Sequence, residues 1–208
     1  MTAAERKEAL CRLRPLDLID VTVCPGGLFD VRKMRKVLGK YFGDVTFADL
    51  KIPFRCVASD MIGQSVVTLS EGNVADAVTA SSCIPALFKP VETGEMRLVD
   101  GGILERVPAQ TVREMGADKV VAVDVLGRRE HGKKTYNALR VLIEVLDILS
   151  TRIAGYRREE GKKYIDLWLE PELGEMSEYS FRHFEEAYES GYETGRAHAE
   201  EIAALIGK

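Results

Sequence analysis

The clearest pattern in the chain is an apolar stripe with helical spacing in its second half. Between positions 139 and 156, apolar side chains recur every three or four residues, which is the period of one helix face. The stripe consists of Leu139, Leu142, Ile143, Leu146, Leu149, Ile153 and Tyr156. We interpret it as a face that packs in the core, in preference to a surface for a partner helix or a membrane. Similar spacing and capping residues predict further helices over residues 2–13, after Asp30, after Asn73, over 108–115 and over about 178–206.

Short apolar runs between these helices predict strands. Residues 119–125, KVVAVDV, have the continuous valine-rich character of a buried parallel strand. Residues 53–60 and 65–70 are separated by a four-residue turn, which predicts a hairpin. Further strands are predicted over 96–99 and 164–169. Because strands alternate with helices and no linker or repeat interrupts the chain, we predict one α/β domain over residues 1–208, with helices on both faces of a mostly parallel sheet.

Composition excludes several classes of protein. The 208 residues are 46% hydrophobic and 30% charged, which fits one globular domain with a sizeable core. The formal net charge is -4, and no basic block interleaves with aromatic residues, so nucleic-acid binding is not expected. No apolar run approaches the length of about 18 residues that a membrane span needs. The first 17 residues lack the apolar core of a secretory signal.

The cysteines and histidines do not have the spacing of a metal or redox site. Cys11, Cys24, Cys56 and Cys83 are scattered, and no C-x-x-C pair is present. This usage favours reduced, mostly buried thiols in a cytoplasmic protein. The histidines lie in polar or helical surroundings without ligand spacing, and they are His131, His183 and His198. We expect neither a metal site nor a cofactor.

One short stretch raises a question of chemistry. Residues 98–108 read LVDGGILERVP, with Asp100 at the end of a predicted strand and Gly101 and Gly102 directly after it. In α/β sheets, functional sites form in loops at the carboxyl ends of strands. We therefore expect Asp100 at the bottom of a surface-open groove. An ordinary strand-to-helix turn explains this stretch equally well when it is taken alone.

The surrounding sequence resembles the second half of bacterial patatin-like phospholipases. Residues 79–91, TASSCIPALFKPV, resemble the family's ASxxIPxxFxPV segment, which leads through a short hairpin to a strand ending in Asp-Gly-Gly or Asp-Gly-Ala. Residues 116–125 resemble its GAD-VVAVDV strand. Residues 27–64 resemble its GLFD…TFEDLKIPL-VVATD…G region, and 171–195 resemble its closing helix. The motifs agree in order and spacing over nearly the whole chain.

The resemblance implies a three-layer patatin-like fold and a serine acyl hydrolase that uses a Ser-Asp dyad without a cofactor. It assigns the dyad aspartate to Asp100, which would accept the proton of a serine hydroxyl as that oxygen attacks an ester carbonyl. It makes Gly101 and Gly102 the residues that turn the backbone and leave space for substrate. The implied substrate is a phospholipid, an acylglycerol or another ester, and peripheral membrane contact is compatible with it.

The serine of the dyad is not found. The chain contains no G-x-S-x-G, and Ser65 in Gly63-Gln64-Ser65 lies in a predicted hairpin turn instead of a strand-to-helix elbow. Ser81 and Ser82 match the family's structural Ala-Ser segment. Gly26-Gly27 resembles the later GGLFD turn and not the oxyanion loop. We therefore expect the chain alone to be inactive.

The beginning of the chain resembles the family segment that follows the nucleophile helix. We accordingly expect a domain truncated at its N-terminus, with an incomplete sheet and an exposed apolar edge. A complementing N-terminal segment or self-association would cover that edge. A non-catalytic remnant that binds lipid or a protein partner is the alternative interpretation. An unrelated hydrolase triad is not supported, because His183 lies in a predicted helix and not in a strand-end loop.

Overall fold

A computed structural model describes residues 3–19, 29–126, 138–174, 176 and 183–207. Eight α-helices and six strands are assigned within these residues. The helices are α1 (Ala3–Arg12), α2 (Pro15–Leu18), α3 (Arg32–Phe42), α4 (Val74–Ser81), α5 (Ala109–Glu114), α6 (Ala138–Gly161), α7 (Phe184–Ala197) and α8 (Ala199–Leu205). The strands are β1 (Cys56–Asp60), β2 (Ser65–Leu69), β3 (Val91–Thr93), β4 (Met96–Asp100), β5 (Val121–Val123) and β6 (Leu167–Leu169).

Four of the strands form an antiparallel sheet in the order β2-β1-β4-β3. The hairpin of β1 and β2 confirms the prediction, with Asp60 opposite Ser65 and Cys56 opposite Leu69. A second hairpin joins β3 to β4 through a tight turn. On its other edge β1 pairs with β4, and Ala58 lies opposite Asp100. The carboxyl end of β4 therefore lies beside the beginning of β1.

The α/β class is confirmed, but a mostly parallel sheet is not. Among the described residues, the parallel ladder is the pair of β5 and β6, in which Ala122 lies opposite Trp168. The two hairpins explain the difference, because a strand that returns through a turn of a few residues must run antiparallel to its predecessor. Parallel pairing needs a longer crossover, which α6 supplies between β5 and β6.

One face of the antiparallel sheet packs against α4 and forms the core. Ala58 and Leu98 from the sheet meet Ala80 from α4, and all three are almost fully buried. Partly buried apolar side chains surround them, namely Val67, Leu69, Val91 and Met96. The helix begins where the sequence predicts, because the Asn73 side chain accepts a hydrogen bond from the backbone N–H of Asp76.

Several predicted boundaries need correction. The closing helix is two helices, α7 and α8, which meet at His198, and the predicted residues 178–182 lie outside the described residues. Asp30 does not cap α3 as its N-cap residue, since the helix begins at Arg32 and the Asp30 carboxylate accepts from the Arg32 N–H. Gly116 has the positive φ expected of a helix-ending glycine. The Gly26-Gly27 turn lies outside the described residues.

The apolar stripe of α6 is not buried as predicted. Leu142 is 47% exposed, Leu149 is 53% exposed and Tyr156 is 74% exposed. On β5, the alternate residues Val121 and Val123 are also exposed. Helical spacing predicts that an apolar face exists but does not determine which element covers it. Within the described residues, α6 contacts the turn after β4 and the turn before β6, and much of its apolar face stays in solvent.

Candidate active site

Asp100 ends β4 and begins the turn that follows it. Its backbone N–H donates to the carbonyl oxygen of Cys83 over 2.9 Å, which ties the end of β4 to the end of α4. Its Oδ1 accepts from the backbone N–H of Gly102 over 2.7 Å. The turn from Gly101 to Ile103 is a 3-10 helix, and Asp100 caps it. The sequence pattern therefore marks a real strand end, and the carboxylate is fixed by its own turn.

The Asp100 carboxylate is poorly solvated. Burial raises its pKa above the ordinary range of an aspartate, and the hydrogen bond from the Gly102 N–H opposes this rise. Within the described residues, the carboxylate forms no salt bridge. A raised pKa makes a carboxylate a stronger base, which suits a group that takes a proton from a hydroxyl.

The two glycines have different surroundings. A Cβ at Gly101 would lie 2.3 Å from the carbonyl oxygen of Val57 and 2.7 Å from its carbonyl carbon. The missing side chain of Gly101 therefore allows the turn to pack directly against the backbone of β1. At Gly102, a Cβ would lie 3.1 Å from Oδ1 of Asp100. Glycine at this second position keeps the carboxylate free of a crowding side chain.

None of the described serines is hydrogen-bonded to Asp100. Ser65 lies two strands away and two residues further along the sheet, about 12 Å from Asp100 between Cα atoms by standard sheet spacings. The Ser81 hydroxyl donates to the carbonyl oxygen of Val57. The Ser59 hydroxyl is buried and has no hydrogen-bond partner among the described residues, but it lies on β1 next to Ala58 and so faces away from Asp100.

Cys83 is the neighbour that sequence reasoning missed. It is fully buried, and its thiol donates to the Lys89 carbonyl oxygen. Burial, and then the charge of Asp100, raise the pKa of the Cys83 thiol to about 12. Such a thiol stays protonated and is not a nucleophile. Since the contact joins the end of α4 to the end of β4, the sequence carried no local signal for it.

The best-defined cavity among the described residues does not include Asp100. A space of about 330 Å³ lies between the beginning of α5, the second half of α6 and β6. Two of its cations form ion pairs with nearby acids, Arg158 with Glu170 and Arg157 with Glu160. That Asp100 lies at the bottom of an open groove stays a prediction.

In the part of the chain that the structure describes, no three side chains of His, Cys, Asp or Glu come together in a group that could hold a metal ion. No helix in the same part is both long enough and apolar enough to cross a membrane.

Comparison with known proteins places the chain in a family. The profile described as patatin-like phospholipase matches residues 10–113, which are 104 of the 208 residues. This match includes α4, the whole antiparallel sheet and the Asp100 turn. The chain belongs to the patatin-like phospholipase family.

Individual relatives agree with this assignment. The chain is 30% identical over 112 residues to an uncharacterized NTE family protein of Mycobacterium tuberculosis, covering 54% of this chain and 31% of that protein. A second NTE family protein of that species is 33% identical over 122 residues, covering 59% of this chain and 21% of that protein. Patatin-like phospholipase domain-containing protein 7 of Mus musculus is 27% identical over 203 residues, covering 86% of this chain and 15% of that protein. The chain spans about a third or less of the length of these relatives.

The protonation of Asp100 leads to a stability prediction. An acid whose pKa is raised by folding destabilises the fold as the pH rises from its unfolded pKa, about 3.9, through its raised folded pKa. We expect Asp100→Asn to increase the free energy of unfolding at neutral pH, and the gain to vanish below about pH 3.9. Urea unfolding followed by circular dichroism across this pH range measures both effects.

Asp60 provides a control, because folding lowers its pKa instead of raising it. Its carboxylate accepts from the backbone N–H groups of Arg97, Ile62 and Gly63, and these bonds lower its pKa. Its contribution to stability is therefore present above its unfolded pKa and is lost as the pH falls through its folded pKa. Asp60→Asn should destabilise the protein at neutral pH. A destabilising Asp100→Asn at neutral pH would contradict the inferred cost of the buried charge.

Proposed function

We propose that the chain supplies the acidic half of a Ser-Asp dyad in a patatin-like acyl hydrolase that cleaves lipid esters. The observation that carries the proposal is the placement of Asp100. It is a strand-end carboxylate with a raised pKa, held by one hydrogen bond from Gly102, and its second oxygen has no hydrogen-bond partner in the described structure. Membership of the family supports a lipid ester as the substrate class.

In the proposed mechanism, the partner-free oxygen of Asp100 accepts the proton of a serine hydroxyl as that hydroxyl attacks the ester carbonyl. The alcohol leaves with a proton, and an acyl-serine remains. Water then attacks the acyl-serine and releases the fatty acid. Gly102 contributes by leaving room for substrate beside the carboxylate, because a Cβ there would crowd Oδ1. Gly101 holds the turn against β1 and has an indirect part in substrate binding.

The serine and the oxyanion donors are not supplied by any G-x-S-x-G or glycine-rich oxyanion loop in these 208 residues. We propose that a segment bearing both completes the site, and that the complete fold has three layers. The exposed apolar residues of β5 and α6 support this proposal, since such surfaces are normally covered. Self-association through the same surface is the alternative arrangement.

Purified chain should show no turnover of p-nitrophenyl esters, because oxyanion donors alone contribute about 10²–10³-fold each in serine hydrolases. Joining the chain to the G-x-S-x-G segment of a patatin-like protein should produce turnover. A wild-type chain whose turnover disappears in Ser65→Ala would contradict the proposal, since Ser65 would then be the nucleophile. The alternative, a non-catalytic lipid-binding or partner-binding remnant, predicts that the joined protein also stays inactive.

A further inference from the structure

The segment from Lys51 to Arg55 is the most exposed apolar feature near the Asp100 end of the sheet. All five of its residues are exposed, in the order Lys-Ile-Pro-Phe-Arg. Ile52 is 80% exposed, and Phe54 is 42% exposed. Two cations therefore flank three apolar residues that are exposed in the described structure.

Local contacts hold residues 51–55 in a defined conformation. The ring of Phe54 stacks on that of Phe47, with 5.8 Å between centroids and 12° between planes. Pro53 restricts the backbone between Ile52 and Phe54. Phe54 is thereby held on one side by Phe47, and Ile52 projects into solvent beside it.

Sheet register places this segment on the same side of the molecule as Asp100. Asp100 lies opposite Ala58, and the turn after it packs on Val57, so β4 ends where β1 begins. Phe54 precedes Ala58 by four residues, which separates their Cα atoms by at most about 15 Å. The tip of the β1–β2 hairpin, with exposed Met61 and Ile62, lies at the opposite end of β1.

The charges of the segment favour binding to an anionic lipid surface. Neither Lys51 nor Arg55 forms an ion pair with any residue that the structure describes. The nearby Asp49 is engaged by Thr46, whose backbone N–H and hydroxyl both donate to its carboxylate. Apolar side chains between free cations suit the interface of an anionic bilayer, where the cations meet lipid phosphates and the apolar groups enter the acyl region.

We propose that residues 51–55 insert into the surface of an anionic lipid bilayer and so bring the Asp100 end of the sheet to the membrane. The net charge of -4 means that the protein as a whole is repelled by an anionic surface. The electrostatic attraction is therefore confined to the two cations of residues 51–55. The inference deepens the proposed function by naming the physical state of the substrate. Binding needs no turnover, so this inference and the hydrolase assignment can fail separately.

Vesicle flotation tests the proposal with the 208-residue chain. The chain is mixed with vesicles of phosphatidylcholine alone, or of equal parts phosphatidylcholine and phosphatidylglycerol, and is centrifuged under a density gradient. Bound protein floats with the vesicles, whereas aggregated protein sediments. We expect flotation with the anionic vesicles and little with the neutral ones, and we expect added salt to weaken it.

Two matched variants locate the contact. Ile52→Ser should lower the affinity for anionic vesicles about tenfold or more, since it removes the burial of one large apolar side chain. Ile62→Ser changes an isoleucine of similar exposure, 59%, at the far end of β1, and should leave the affinity unchanged. Replacing both Lys51 and Arg55 by glutamine should abolish the preference for phosphatidylglycerol.

Three results would overturn the inference. The first is a wild-type chain that floats with neither kind of vesicle. The second is an equal loss of flotation in Ile52→Ser and Ile62→Ser. The third is a change of oligomeric state in Ile52→Ser without lipid, measured by sedimentation velocity, which would make residues 51–55 a protein contact instead of a membrane contact.

Discussion

Asp100→Asn should lower ester hydrolysis about 10²–10⁴-fold in a protein that joins this chain to a G-x-S-x-G segment, because that range is typical of a lost general base. An asparagine can still accept the hydrogen bond from the Gly102 N–H through its side-chain oxygen, so the turn should persist. It cannot take a proton from the serine. The expected result is a large fall in kcat, with a circular dichroism spectrum like that of the unmodified protein.

Asp124 is the matched control for this variant. It too follows a strand, it is buried, and its Oδ1 accepts from the backbone N–H two residues later, that of Leu126. Asp124→Asn repeats the same chemical change at the end of a different strand, β5. Its hydrolysis rate should stay within a few-fold of the unmodified rate. An equal loss in both variants would show that the effect of Asp100→Asn is structural.

Gly101→Ala should destabilise the fold by about 3 kcal/mol or more, at the upper end of the usual overpacking range. The new Cβ would lie 2.3 Å from the carbonyl oxygen of Val57, which belongs to β1 at the centre of the sheet. That backbone cannot move aside without disturbing the pairing with both β2 and β4. The free energy of unfolding in urea measures the effect. Typical domains have only about 5–15 kcal/mol of stability, so this loss is large.

Gly155→Ala separates local crowding from the general effect of replacing a glycine. Gly155 lies within α6, and a Cβ there would meet nothing within 4 Å. Alanine favours the helix over glycine by about 1 kcal/mol, so this variant should be neutral or stabilising. If Gly101→Ala had the same free energy of unfolding as Gly155→Ala, this would contradict the close approach of the Gly101 turn to β1.

Local features of the fold could be predicted from the sequence because their causes are local. Asn73 starts α4 through its own side chain, and Gly116 supplies the positive φ after α5. The β1–β2 hairpin follows from two apolar runs and a short turn. The position of Asp100 at a strand end could be predicted for the same reason, since the strand, the acid and the two glycines are adjacent in the chain.

Features that depend on distant contacts could not be predicted. The sequence identifies Gly101 as a glycine but does not reveal that it touches Val57. The stripe on α6 has the correct period, yet its cover depends on elements elsewhere, and residues such as Leu149 are exposed. The direction of pairing between strands that are far apart in the chain also could not be predicted. The alternation of strands with helices favours a mostly parallel sheet, but the central strand β1 pairs antiparallel with the distant β4 as well as with its hairpin partner β2.

The central claim is that Asp100 activates a serine, and the rate of covalent labelling by a fluorophosphonate tests it most directly. This probe reacts with an activated serine hydroxyl and requires neither lipid binding nor water attack. In the joined protein, labelling should occur at the serine of G-x-S-x-G and should slow by about 10²–10⁴-fold in Asp100→Asn, with Asp124→Asn unaffected. The 208-residue chain alone should not be labelled. Labelling of the joined protein at the same rate with and without the Asp100 carboxylate would contradict the dyad.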